Sequence, residues 1–78
     1  ILKEFLKGLL SENKYDDIFE YLLSNLSNSS DYDNVIQIKG RYNRINKDLI
    51  NGIVEIPQHE MELNKIRYSL LEFINSLA

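Results

Sequence analysis

The sequence predicts an all-α domain, a small antiparallel four-helix bundle built on a long C-terminal helical hairpin. Three observations carry that prediction. Val35, Ile38, Tyr42, Ile45 and Leu49 recur at alternating spacings of three and four, as do Leu63, Ile66, Leu70, Phe73 and Leu77, so each set is an a/d seam. The two seams mirror each other about residue 54, with 45 opposite 63, 42 opposite 66, 38 opposite 70 and 35 opposite 73, as an antiparallel pair requires. Two shorter amphipathic segments precede them.

In the first of these, Leu2, Phe5, Leu6, Leu9 and Leu10 follow the i, i+3, i+4 rule and predict a helix near 2–10. Tyr15, Ile18, Phe19, Leu22, Leu23 and Leu26 repeat the pattern and predict a second helix near 14–26. Asn13 is the candidate N-cap of that second helix, with Asp16 and Asp17 in its first turn, where carboxylates suit the positive end of the helix dipole. The stretch "SNSSDYDN", Ser27 to Asn34, is a polar connector ending in the cap candidates Ser30 and Asp31.

The first seam then predicts a third helix near 32–51, stopped by Gly52 at C′, and the second a fourth near 57–77, with Pro57 in its first turn. Turning each arm by about 100° per residue puts Ile36, Ile50, Leu71 and Ile74 on one flank of the hairpin, apolar enough to need a cover. The two short helices are expected to provide it. Arg41, Arg44 and Asp48 lie on the other flank beside Glu62, Lys65 and Glu72, and that side is expected to face water.

At 78 residues, with no cysteine, the chain is one small domain that must be held by packing alone. It begins at Ile1 and contains neither a membrane-length apolar run nor a signal peptide, so it reads as a piece of a longer cytoplasmic protein. Its abundant Ile and Asn and single Ala are a bias expected of an AT-rich genome.

The net charge of −3 is unevenly distributed. Residues 34–51 hold Lys39, Arg41, Arg44 and Lys47 against Asp48 alone, while the segments on either side are acidic. That basic stripe could touch phosphates, but the acidic total weighs against nucleic acid. A solvated face or a protein-docking face fits it better.

Catalytic and metal-binding patterns are lacking. His59 is the only histidine, and "HEMEL" has no second His at the spacing of a zinc helix, so a loop-end or capping role is expected. "DYDNVI" begins like a calcium loop, but Val35 and Ile36 fall where an oxygen ligand and a glycine are needed. No nucleophile has an evident base, and Gly8, Gly40 and Gly52 are too dispersed for a phosphate loop. Neither enzymatic activity nor a cofactor is expected.

Three residues carry open alternatives. Gly40, in mid-helix, is either a tolerated small residue or a place where another helix comes close. Arg67 is expected at the margin of the covered flank, paired with an acid of the first two helices. Tyr68 and Met61 share the outer face of the last helix, as ordinary exposed side chains or as a contact patch.

"GRYNRINKD", the Gly-Ile step at 52 and 53, and "ELNKIRYSLLEFI" (Glu62 to Ile74) resemble the effector-associated domains of bacterial conflict systems, closest to the variety numbered eleven. Arg41, Tyr42, Asn43, Gly52, Asn64, Ile66, Arg67, Tyr68, Leu70 and Leu71 fall on that family's pattern. The resemblance covers the C-terminal half and departs from the pattern at "VEIPQ". It implies a death-domain-like helical adaptor without catalytic residues, joining a sensor or NTPase to an effector through docking with another such domain, self or cognate, homo-oligomers included. The rival reading is a regulatory or dimerising subdomain of an enzyme with no external partner. The resemblance brings no interface motif, so the expected interface rests on charge. Asp16, Asp17 and Glu20 should face away from Arg41 and Arg44, leaving the two sets free to pair head to tail between molecules.

Overall fold

A computed structural model describes residues 2–77, and over them the chain is four helices. They are α1 (Lys3–Ser11), α2 (Tyr15–Asn25), α3 (Ser29–Ile50) and α4 (Ile56–Ser76). Contacts join α1 to α2, α2 to α3, α3 to α4 and α4 back to α1, so the helices form a closed ring with no diagonal pair. The N-terminal end of α1 lies by the C-terminal end of α4, where Lys3 Nζ reaches the Asn75 carbonyl at 3.4 Å.

The core is the seam predicted from spacing, without Leu49, which lies near the tip and outside the buried cluster. Val35, Ile38 and Ile45 of α3 and Ile66, Leu70 and Phe73 of α4 are buried, with Tyr42 and Leu63 packed at the margin. Onto it α1 brings Leu6 and Leu10, and α2 brings Tyr15, Ile18, Phe19 and Leu22. Tyr42 joins α3 to α2, its ring stacked on Tyr15 at 5.0 Å and tilted against Phe19 at 5.5 Å. Among the described residues no polar side chain is buried, so apolar burial carries the stability.

The cover differs from expectation. Of the flank formed by Ile36, Ile50, Leu71 and Ile74, only Ile74 is buried, and the other three are exposed. The short helices instead sit over the seam itself, because one broad stripe that serves both contacts buries more apolar surface than two separate ones. Their reach is short. At about 1.5 Å per residue, α1 and α2 extend roughly 14 and 17 Å along a hairpin arm of some 33 Å. The end of the hairpin around Ile53 therefore projects, and the molecule measures 38 Å along its longest axis.

Two chain reversals use the same device. After α3, Gly52 adopts φ 71°, with its N–H on the Leu49 carbonyl at 3.1 Å and the Ile53 N–H on Asp48 at 2.9 Å. That is a Schellman turn with glycine at C′. After α1, Asn13 adopts φ 60°, its N–H on Leu10 at 3.1 Å and the Lys14 N–H on Leu9 at 3.0 Å, the same motif with asparagine.

Asn13 is therefore the C′ residue of α1 and not the N-cap of α2, whose start, at Lys14, has no side-chain cap. A second cap is also displaced. Asn28 Oδ1 accepts from the N–H groups of Ser30 at 2.8 Å and Asp31 at 3.2 Å, so α3 begins earlier than the expected caps Ser30 and Asp31 would allow. Pro57 lies in the first turn of α4, as expected. No atom comes within 4 Å of a Cβ built on Gly40, so no helix of this chain approaches it closely.

The seam makes a stability prediction. Ile66→Ala or Leu70→Ala, at sites that are 1% and 0% exposed, should cost about 2–5 kcal/mol, whereas exposed Glu72→Ala should stay within about 0.5 kcal/mol. Thermal melts followed by circular dichroism check this, and equal midpoints for all three would refute the register.

Candidate functional site

Open clefts mark the surface of the described residues where helices leave grooves between them. The first, of ≈ 390 Å³, runs between α3 and α4, with Arg41, Asn34 and Gln37 facing Ser69 and Glu72 over a floor of Ile38 and Phe73. Here the expected wet flank is a polar trough. The second, of ≈ 400 Å³, lies between α1 and α2, with Phe5, Leu9 and Tyr21 as its floor and Asp17 and Glu20 on its α2 wall. Phe5 and Tyr21 meet at 5.3 Å, and the Tyr21 hydroxyl accepts the Leu2 N–H at 3.1 Å.

In a ring of four helices the α1–α2 groove and the α3–α4 groove lie on opposite sides. The structure thus places Asp17 and Glu20 away from Arg41. Asp16 and Arg44 are also exposed, and among the described residues Asp16, Asp17, Glu20, Arg41 and Arg44 form no ion pair. The ion pairs among the described residues are all local: Glu4–Lys7, Glu12–Lys14 and Glu62–Lys65. Glu12 lies 3.0 Å from Lys14 and raises its pKa above 10.5.

The third cleft, of ≈ 540 Å³, opens where the α1–α2 turn meets the hairpin, and Arg67 and His59 line it. Among the described residues Arg67 has no acidic partner, contrary to expectation. Its Nη1 donates to Asn13 Oδ1 at 2.7 Å, because the Schellman turn brings that amide over α4 and leaves Asp16 and Asp17 further along α2. His59 caps no helix. It lies within the first turns of α4, and its Nε2 bonds Asn46 Oδ1 of α3 at 2.8 Å, tying the two arms near their tip. Among the described residues no three His, Cys, Asp or Glu side chains are grouped to hold a metal, and no helix is long and apolar enough to cross a membrane.

Met61 and Tyr68 both stand out from α4, each 61% exposed. A surface missed by the sequence reasoning is larger. At the hairpin tip Ile50, Ile53 and Ile56 are 85%, 69% and 65% exposed. The run "INGIVEI" contained the signal, but Ile50 had been assigned to a covered flank, and the short reach of α1 and α2 leaves it bare.

A family model described as effector-associated domain 11 matches residues 1–78, which takes in the two N-terminal helices as well as the hairpin. No curated protein and no solved structure matches the chain.

The outer face of α4 can be probed by titration. The Glu72 carboxylate, one turn after Tyr68, holds the pKa of its phenol above 10.0. Glu72→Gln should bring the Tyr68 titration down toward 10.0, read from the ring-carbon chemical shift of Tyr68. A titration that does not move would remove Glu72 as the cause.

Proposed function

Because the chain belongs to the effector-associated domain 11 family, we propose that it is a non-catalytic adaptor coupling a sensor or NTPase to an effector in prokaryotic anti-phage defence or conflict signalling. The effector is a protease, a nuclease or a pore-former, and the setting is cytoplasmic. The observation that carries this reading is a family match spanning the whole chain. Docking is helix to helix with another effector-associated or death-like domain, self or cognate.

Two features support a docking role. Among the described residues the acids Asp16, Asp17 and Glu20 and the arginines Arg41 and Arg44 find no ion-pair partner. The groove that holds Asp17 and Glu20 and the trough that holds Arg41 face opposite ways, so the acids of one domain can meet the arginines of the next, head to tail. Such heterologous contacts build open assemblies unless the rotation closes a ring. Charges at the rim set orientation and on-rate, and they weaken with salt. Met61 and Tyr68 offer a third, outward contact on α4.

The test is to titrate the purified domain against itself and against each effector-associated domain of the same genome. Binding to at least one, weakened at high salt, is expected. No binding to any of them would overturn the adaptor reading. Arg41→Glu with Arg44→Glu should lower affinity at least tenfold, and Asp16→Lys with Asp17→Lys on the other molecule should partly restore it. Binding by the reversed protein equal to the parent's would exclude the charge pairing. Tyr68→Ala should weaken partner binding while the melting temperature stays within a degree or two of the parent's, since the side chain is exposed. Unchanged binding would remove Tyr68 from the interface.

A further inference from the structure

Rim charges steer a complex, but lasting contact needs apolar surface at its centre. The molecule exposes such surface in two complementary shapes. One is convex: Ile50, Ile53 and Ile56, gathered at the hairpin tip where α1 and α2 do not reach. Three large isoleucines left bare at one end of a small domain are the kind of exposed apolar surface that marks an interaction site. The other is concave: the α1–α2 groove, floored by Phe5, Leu9 and Tyr21.

Charge selects which surface meets which. Lys47 is exposed one turn before Ile50, and Arg44 one turn before that; together they outnumber the half-buried Asp48, so the α3 side of the tip is net basic. The α2 wall of the groove carries Asp17 and Glu20, both exposed. Glu55, at the start of α4, stands on the other arm and fixes the rotation, with α3 turned toward the acidic wall and α4 away from it.

We propose that the hairpin tip of one copy seats its isoleucines in the α1–α2 groove of a second copy, with Lys47 and Arg44 lying along Asp17 and Glu20. The contact rests on the docking role proposed above and supplies its apolar centre. Within one molecule it cannot form, since the groove is built from the half of the bundle remote from the tip. Each copy therefore keeps one tip and one groove for two different neighbours, and the contact propagates.

Two variants and their mixture test this by sedimentation velocity at low salt. The tip variant is Ile53→Asp with Ile56→Asp, and the groove variant is Asp17→Lys with Glu20→Lys. All four sites are exposed, so parent-like melting temperatures are expected and are checked first. The parent should self-associate progressively with concentration, and each variant alone should associate at least tenfold more weakly. Mixed, the two variants should form a 1:1 dimer that grows no further, because the mixture holds one intact tip and one intact groove. A mixture that stays monomeric overturns the proposal, as does a tip variant that assembles like the parent. A groove variant that dimerises through its tips overturns it too, as does a parent monomeric up to about 1 mM. If tip and groove changes have no effect while Arg41→Glu with Arg44→Glu still abolishes binding to a like domain, this contact falls and the adaptor reading stands. If no like domain binds at all, both fall.

Discussion

One apolar stripe does two jobs in this domain, and most of the structure follows from it. The seam that zips α3 to α4 is also the floor on which α1 and α2 lie, so Ile66, Leu70 and Val35 are buried from both sides. A chain of 78 residues without disulfides has little other means of stabilisation, since the share of surface it can bury is small. Using one stripe twice concentrates the apolar residues and leaves the flanks to water. Ile36 and Leu71 are exposed as a consequence.

The same economy sets the shape. Helices of 9 and 11 residues cannot cover arms of 22 and 21, so the tip of the hairpin stands clear of the bundle. What holds it together there is local: the Schellman turn at Gly52 and the His59–Asn46 bond between the arms. The second Schellman turn, at Asn13, does more than reverse the chain. An asparagine at C′ tolerates the left-handed conformation and keeps a side-chain carbonyl, which Arg67 uses to dock the α1–α2 turn onto α4.

Function then falls to the surface. The domain offers an acid-walled groove, a trough holding Arg41 and an apolar tip, placed on different sides of one small bundle. Unlike surfaces pointing in different directions favour heterologous contact over a closed two-fold dimer. On the docking role proposed above, each docked domain would present a fresh surface to the next.

The all-helical class, the four elements and both seams were legible from the sequence, because apolar spacing reports the face a helix must bury whatever covers it. The stop at Gly52 and the start near Pro57 were legible for a similar reason, as they depend on local backbone geometry. Three other features were decided only when the helices packed. Asn13 took a left-handed C′ position in place of the expected N-cap, and Asn28 took the N-cap expected of Ser30 or Asp31, since asparagine suits both positions and the neighbouring chain selects between them. Arg67 found an amide in place of a carboxylate because its partner depends on where the α1–α2 turn lands. The bare isoleucines of the tip follow from the lengths of two helices measured against two others, a relation between distant segments that no local pattern carries.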